Sequence, residues 1–149
     1  MKKVIICLLF LLTIFVITGC SLNKERNKNI SDNSSSEVIN SVKVVINDID
    51  YKIDLEDNET TRSFVNLLPK KFNMIDLNGN EKYVYLDKSI PTNTYYPEKI
   101  YAGDVMLFGS NCLVIFYKSF NTSYGYTKIG HINDLPDLGM ENIIVSIEK

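Results

Sequence analysis

Short apolar segments separated by turn residues constrain the fold of residues 42–149 more than any other feature of the sequence. The first two segments alternate apolar with other residues, and the apolar positions are Val42, Val44, Ile46, Tyr51, Ile53 and Leu55. A period of two places these side chains on one face of an extended chain. A β-hairpin is therefore predicted here, with its turn at Asp48–Asp50.

Two more hairpins are predicted further along the chain. Their strands are expected at Phe72–Leu77, Glu81–Leu86, Asp104–Phe108 and Cys112–Tyr117. Asn78-Gly79-Asn80 joins the first pair, and its Asn-Gly dipeptide readily adopts the positive φ values that a tight turn needs. Gly109-Ser110-Asn111 joins the second pair, whose strands are apolar on both faces and are therefore expected to be covered on each side.

One amphipathic helix is predicted between the first and second hairpins. Asp57-Asn58 offers an N-cap, Glu59–Leu68 has apolar residues at helical spacing, and Pro69 ends the pattern. After a long loop at Asp87–Gly103 and the third hairpin, two more strands are predicted at Tyr126–Ile132 and Ile143–Ile147.

The resulting eight strands predict a mainly β fold. A small closed β-barrel with one or two short capping helices fits best, because closure removes exposed strand edges. This domain is expected to span residues 42–149.

The first 19 residues have the pattern of a secretory signal peptide. Lys2 and Lys3 precede a 14-residue apolar segment at Val4–Ile17, and the small residues Thr18 and Gly19 follow it. A transmembrane helix needs about 20 apolar residues. An uncleaved membrane anchor is therefore the less favoured alternative.

Ile17-Thr18-Gly19-Cys20 also resembles the lipobox of bacterial lipoproteins. That resemblance implies that Cys20 is alkylated with lipid and that the chain is cut just before it. Palmitate-type chains on Cys20 would hold the protein on the extracytoplasmic face of the cell membrane. Residues 20–41 are rich in Asn, Ser and mixed charges, and this composition predicts a flexible tether between the lipid and the domain.

The charge and cysteine content exclude several partners. Removal of residues 1–19 leaves 14 basic and 18 acidic residues, a formal charge of −4, which gives no indication of nucleic-acid binding. Cys112 then has no disulfide partner, and one His with one free Cys offers no zinc-type ligand spacing. No metal or other cofactor is predicted.

The order of several short motifs resembles the bacterial cyclophilin-like domains. The motifs are EKY at Glu81–Tyr83, GDV at Gly103–Val105, IFY at Ile115–Tyr117 and YTKIGHI at Tyr126–Ile132. The resemblance covers residues 42–149 and implies an eight-stranded barrel capped by helices. For many members of the family it implies no established biochemical function.

The resemblance also raises the question of peptidyl-prolyl isomerisation. True cyclophilins stabilise the twisted amide with an arginine in a phenylalanine-histidine-arginine stretch, and the rotation barrier is about 18 to 20 kcal/mol without catalysis. Here the only arginines are Arg26, in the predicted tether, and Arg62, on the predicted helix, and neither lies in such a motif. The chain also contains no glutamine, so the glutamine-rich signature of the isomerases is missing.

The candidate ligand-binding residues are mostly aromatic: Tyr117, Phe120, Tyr124, Tyr126 and His131. The aromatic members flank the loop at 121–123, and rings with hydroxyl groups suit a peptide or small-ligand groove. A purely structural role, in which they cover the ends of the barrel, is the alternative. Cys112 is interpreted as an inert buried thiol and Asp104 as a turn residue.

The sequence therefore predicts a surface lipoprotein whose barrel is a non-catalytic binding or interaction module for a peptide or protein partner. One alternative is an extracytoplasmic peptidyl-prolyl isomerase that uses His131 or a tyrosine as an unconventional donor. Another is an accessory subunit of an envelope complex without a ligand pocket.

Overall fold

A computed structural model describes residues 39–149 of the chain. The predicted leader at 1–19, the predicted lipidation site Cys20 and the predicted tether as far as residue 38 lie outside the described residues. Within residues 39–149, no helix is long and apolar enough to cross a membrane.

The fold class predicted from the sequence is confirmed: the described chain is mainly β and forms a closed eight-stranded barrel. Its elements are β1 (Ser41–Ile46), β2 (Ile49–Leu55), α1 (Glu59–Val65), β3 (Lys70–Leu77), β4 (Glu81–Tyr85), β5 (Lys99–Ile100), β6 (Asp104–Phe108), β7 (Cys112–Phe116), β8 (Phe120–Asn121), β9 (Thr127–Ile132) and β10 (Ile143–Glu148). Of the one or two helices expected, these residues contain one.

The barrel strands follow the order β1-β10-β3-β4-β7-β6-β9-β2, and all neighbours are antiparallel. The pairing of β2 with β1 closes the ring, so every barrel strand has a partner on both edges. β5 and β8 pair with each other as a separate two-stranded sheet, which the sequence pattern did not predict.

The hairpin turns follow residues that tolerate positive φ. Asn78 and Gly79 have φ values of 57° and 68°, as predicted for an Asn-Gly turn. The first turn was predicted at Asp48–Asp50, but it lies at Asn47 and Asp48, with φ values of 49° and 64°. Asn and Asp tolerate this conformation better than other non-glycine residues, and Ile49 is thereby free to pair with Ile46.

Helix α1 begins where the sequence predicts and ends three residues earlier. The Asn58 side chain accepts a hydrogen bond from the Thr61 N–H, which caps the first turn. The predicted end at Leu68 was wrong, because the helix ends at Val65. Leu68 precedes Pro69, and the residue before a proline is disfavoured in the helical region.

Two hydrophobic clusters lie on opposite sides of the barrel wall. The larger one fills the interior and includes Val44, Phe64, Leu113 and Ile115. The smaller one lies outside β6 and β7 and consists of Ile100, Met106, Cys112, Val114, Phe116 and Tyr126, with Tyr83 and Phe120 packed against it. The prediction that β6 and β7 are covered on both faces is therefore confirmed.

A lysine is fully buried in the barrel wall. The Lys82 ammonium donates to Asp76 Oδ1 at 2.8 Å, to the Gly139 carbonyl at 2.6 Å and to the Glu141 carbonyl at 2.7 Å. Three acceptors match the three N–H donors of an ammonium group. Asp76 also accepts hydrogen bonds from the Tyr117 hydroxyl and from the Gly79 N–H.

We predict that Lys82→Met destabilises the protein by about 3 to 5 kcal/mol, because removal of one partner leaves the other charge uncompensated. The midpoint of urea unfolding, followed by circular dichroism, measures the effect. Lys70→Met is the matched control: Lys70 also lies in a barrel strand and pairs with a carboxylate, Asp87, but both side chains are exposed. Equal midpoints for Lys82→Met and the wild type would contradict the prediction.

Candidate functional site

A pocket of about 390 Å³ lies on the outer side of the barrel, over β4 and β7. Most of its lining is apolar or aromatic: Leu77, Tyr83, Tyr85, Phe108, Cys112, Val114, Phe120, Tyr124 and Tyr126. The polar lining consists of Asn78, Asn80 and Glu81.

Strand alternation explains why β4 supplies one side of the pocket. Lys82 is buried on the barrel side, and Val84 packs against the interior cluster. Side chains of a strand alternate between its two faces, so Glu81, Tyr83 and Tyr85 face outward. In β7 the same alternation turns Cys112 and Val114 towards the pocket.

The aromatic side chains of the pocket contact one another, edge to face in two of three pairs and tilted in the third. The rings of Tyr83 and Tyr85 are 5.9 Å apart with an interplanar angle of 81°. Phe108 lies 6.1 Å from Tyr124 and 5.6 Å from Tyr126, measured between ring centroids. Edge-to-face contacts of this kind fix ring positions and leave ring faces available to a ligand.

Among residues 39–149, Glu81 is the one carboxylate that lines the pocket, and no lysine, arginine or histidine of this part of the chain lines it. Burial, together with the smaller effect of the nearby negative charge of Asp76, raises the pKa of the Glu81 carboxyl to about 7. The group therefore changes its charge close to neutral pH.

The Asn80 side chain adds an unpaired acceptor to the same end of the pocket. Among the described residues, Asn80 Oδ1 is buried without a hydrogen-bond donor. The backbone carbonyl of Asn80 accepts from the N–H groups of Tyr117 and Lys118, at 3.0 and 3.3 Å, which ties the β3–β4 turn to the end of β7. Glu81 therefore presents acceptor oxygens next to aromatic rings, and the unpaired Asn80 oxygen lies buried beside this end of the pocket.

The structure brings together three of the five binding residues suggested by the sequence. Phe120, Tyr124 and Tyr126 line the pocket. Tyr117 does not: its ring is buried, and its hydroxyl donates to Asp76. Burial, followed by this hydrogen bond, raises the pKa of Tyr117 well above its usual range.

His131, the remaining candidate, lies in a different cluster on β9. Its Nδ1 is 3.1 Å from Asp104 Oδ1, and the Lys128 ammonium is 3.6 Å from the same oxygen. Asp104 also accepts from the Tyr101 N–H, so it stabilises the turn as expected. Its burial and its contact with His131 were not predicted.

Gly103 is required beside His131. It has a φ of +95°, and a Cβ atom there would lie 2.2 Å from the Ile132 carbonyl and 2.8 Å from His131 Cε1. The close approach of this turn to β9 therefore depends on a residue without a side chain.

The sequence did not identify four of the pocket residues as site residues: Glu81, Tyr83, Tyr85 and Phe108. The alternation in Glu81–Tyr85 is visible in the sequence. It does not by itself show whether Lys82 and Val84 or the other three side chains face outward. Cys112 lines the pocket as a largely buried thiol, and burial raises its pKa, in agreement with its interpretation as inert. In residues 39–149 no group of three or more His, Cys, Asp or Glu side chains could hold a metal ion.

The comparison with family models gives one match. A model described as the cyclophilin-like family matches residues 44–148. This range contains nearly all of the barrel and the whole pocket lining. No curated protein and no solved structure matches the chain.

We predict that Glu81 lowers the stability of the folded protein as the pH rises from about 4.5 to 7. The folded protein holds a proton on Glu81 in this interval, because its pKa is about 7, whereas an unfolded glutamate has a pKa near 4.3. The folded state thus binds more protons than the unfolded state, so the free energy of unfolding falls as the pH increases.

The measurement is the urea midpoint of the wild type and of Glu81→Gln at pH 5 and pH 8. The wild type should lose stability relative to Glu81→Gln between these values. Glu148→Gln, at an exposed position of β10, should keep the wild-type dependence. A constant difference between the wild type and Glu81→Gln would show that the Glu81 pKa is not raised.

Proposed function

The chain belongs to the cyclophilin-like family, and on this premise we propose that its barrel is a non-catalytic module that binds a polypeptide partner in the pocket over β4 and β7. We further propose that a lipid on Cys20 holds this module at the extracytoplasmic face of the cell membrane. The observation that carries the binding function is the aromatic lining of an open pocket outside a barrel whose interior is filled by its own core.

The size and surroundings of the pocket support a polypeptide partner. A volume of about 390 Å³ is within the usual range of ligand sites, about 300 to 1,000 Å³. The apolar surface continues past the pocket to the outer face of β3, where Ile75 and Leu77 are exposed. Ile75 lies opposite Tyr83 in the β3–β4 pairing, so the two surfaces are adjacent. Extended apolar surface of this kind often marks an interaction site.

The polar groups of the pocket favour binding over isomerisation. Catalysis of prolyl rotation requires a donor placed to stabilise the twisted amide. No positively charged side chain lines the pocket, the Arg62 guanidinium pairs with Asp57, and the Lys82 ammonium is buried inside the barrel wall. Tyrosine hydroxyls and the side-chain amides of Asn78 and Asn80 are the neutral donors that remain in the lining.

The alternative function, an isomerase that depends on His131, draws its support from the contact between His131 and Asp104. A carboxylate can hold an imidazole in a defined orientation and tautomer. His131 is not part of the pocket lining, however, so this alternative requires a second binding surface near β9.

The lipid anchor is supported by the sequence alone. The apolar segment at 4–17 and Thr18-Gly19-Cys20 have the order that bacterial lipoproteins use. Two lipid chains on Cys20 suffice for stable anchoring, since each buried CH₂ contributes roughly 0.8 kcal/mol. The Asn-rich and Ser-rich residues that follow would let the barrel reach partners away from the membrane surface.

We predict that a random peptide display library will yield peptides that bind the purified protein at this pocket. The double variant Tyr85→Ala/Tyr124→Ala should weaken their binding at least tenfold, because exposed aromatic side chains are frequent binding hot spots. Tyr101→Ala is the matched control, since Tyr101 is equally an exposed tyrosine but does not line the pocket. Isothermal titration with the selected peptides measures the effect.

Two results would contradict this proposal. One is selection of peptides that bind the double variant as tightly as the wild type. The other is acceleration of prolyl isomerisation by the purified protein that is lost in His131→Ala, which would support the enzymatic alternative instead.

We also predict that Cys20→Ser abolishes lipid attachment in a bacterial host. The wild type should partition into the detergent phase of Triton X-114 and incorporate labelled palmitate, whereas Cys20→Ser should do neither. Cys7→Ser is the control, because Cys7 lies inside the predicted leader. Incorporation of palmitate into Cys20→Ser would refute the anchor.

A further inference from the structure

We propose that the pocket over β4 and β7 recognises a lysine side chain of the polypeptide partner, with the ammonium group at Glu81 and the methylene stem along the aromatic rings. This inference rests on the proposed binding function and names the group that gives it specificity. It follows from the charge, the ring arrangement and the unpaired acceptor of the pocket.

The charge of the pocket is complementary to a cation. Glu81 supplies a carboxylate, and none of the lining residues is a lysine, arginine or histidine. A half-buried carboxylate without a cationic neighbour in the pocket costs free energy when it ionises. A cation supplied by the partner would stabilise the ionised form, which a neutral or acidic ligand cannot do.

The rings provide a second source of attraction for the same cation. Tyr83 and Tyr85 stand beside each other on β4, and Phe108 and Tyr124 contact each other edge to face across the pocket. An ammonium group within about 6 Å of a ring face is attracted by the ring quadrupole. Aromatic rings also suit the apolar methylene groups of a lysine stem.

The order of residues along β4 gives the site a direction. Glu81 pairs with Phe116, Tyr83 with Val114 and Tyr85 with Cys112, so the carboxylate is at one end of the pocket floor and the rings extend towards the other. At about 3.3 Å per residue, Glu81 and Tyr85 are about 13 Å apart along the strand. A lysine whose backbone lies over Tyr83, two residues or about 7 Å from Glu81 along the strand, would thus direct its ammonium to Glu81, with the Tyr85 ring beside the rest of the peptide.

Asn80 favours a primary ammonium over a quaternary one. Its Oδ1 is buried without a donor among the described residues, next in sequence to Glu81. A buried acceptor without a partner costs roughly 1 to 3 kcal/mol. Rotation of the amide towards the pocket would break no hydrogen bond of this oxygen, and a lysine ammonium has three N–H donors to share between Asn80 and Glu81.

The exposed apolar surface beside the pocket favours a polypeptide as the carrier of the ammonium group. Leu77, at the rim, is 42 % exposed, and Ile75 beyond it is 45 % exposed. A free alkylamine would fill the pocket and leave this surface uncovered. A peptide with apolar residues on either side of its lysine would cover both.

The groups around Glu81 set the expected pH dependence. Asp76 and Lys82 form an ion pair on the barrel side of the β3–β4 hairpin, and Tyr117, Cys112 and Tyr126 approach Glu81 from β7 and from the start of β9. The pKa values of these tyrosines and of the thiol are raised, so all three stay neutral near pH 7. Glu81, with a pKa of about 7, is therefore the group of this cluster that titrates near neutrality.

The experiment uses the acetylated and amidated peptide Gly-Ser-Leu-Lys-Leu-Ser-Gly and three analogues. In these analogues norleucine, Nε-acetyl-lysine or arginine replaces the lysine, and n-butylammonium serves as the small-molecule probe. Isothermal titration at pH 8 should show at least tenfold tighter binding of the lysine peptide than of butylammonium and of the norleucine and acetyl-lysine peptides, which lack the charged donor. The arginine peptide should bind no more tightly than the lysine peptide.

Two further readouts connect the preference to Glu81. Glu81→Gln should abolish the preference for lysine over norleucine, whereas Glu148→Gln should retain it. The affinity of the wild type for the lysine peptide should rise about tenfold from pH 6 to pH 8, because the ionised fraction of a carboxyl with a pKa near 7 rises by that factor while lysine stays protonated.

Each contrary result has a defined meaning. Equal binding of the lysine and norleucine peptides, or tighter binding of the arginine peptide, would overturn the lysine site and leave the polypeptide-binding function standing. Equal binding of butylammonium would overturn the polypeptide as the carrier. Binding of none of these probes would overturn the lysine site, and only the additional failure of the display selection would overturn the proposed function.

Discussion

The buried ammonium of Lys82 is the interaction on which the geometry of the pocket depends. Its three hydrogen bonds connect β3, β4 and the segment that leads into β10, through Asp76, Gly139 and Glu141. A fully buried charge is tolerated only when its partners are complete. These three segments are therefore held in one arrangement, and β4 has one side towards the barrel interior and the other towards the pocket.

That arrangement also couples the two sides of the barrel wall electrostatically. Burial acts to raise the pKa of Asp76, but its hydrogen bonds with Lys82, Tyr117 and Gly79 outweigh burial, so the pKa of this carboxyl is lower than usual. Asp76 thus stays negative and contributes to the raised pKa of Glu81 on the other side of the wall. In this way, the ion pair of Asp76 and Lys82 inside the wall influences the charge of Glu81 in the pocket outside it.

The barrel could be predicted from the sequence because its strands follow a simple period of two, and because turns such as Asn78-Gly79 have a clear chemical signature. The pocket was less accessible to the same reasoning. In Glu81–Tyr85, hydrophobicity alone would direct Tyr83 and Tyr85 inward, whereas the structure buries Lys82 and turns the tyrosines outward. The reason is tertiary: Asp76 and two backbone carbonyls accept the hydrogen bonds of the ammonium, and these partners lie far from Lys82 in the sequence or across the hairpin.

Tyr117 and His131 were grouped with the loop aromatics because they are close to them in sequence. In the structure, strand alternation turns Tyr117 inward, where its hydroxyl donates to Asp76, and His131 contacts Asp104 instead of the pocket.

The presence of two separate hydrophobic clusters explains how one small barrel can combine a rigid frame with an exposed aromatic pocket. The interior cluster has buried residues from seven of the eight barrel strands, Val84 of the eighth strand, β4, packs against it, and it packs without the pocket residues. The outer cluster needs only β6, β7 and the segments that carry β5, β8 and Tyr126, and its edge is left open where Tyr83 and Phe120 border the pocket. Because the frame is stabilised from within, the outer aromatics need not be covered for the barrel to fold. Their exposed rings, and the carboxylate among them, are then available to a partner. The chemistry of this outer surface, rather than that of the core, therefore decides what the protein binds.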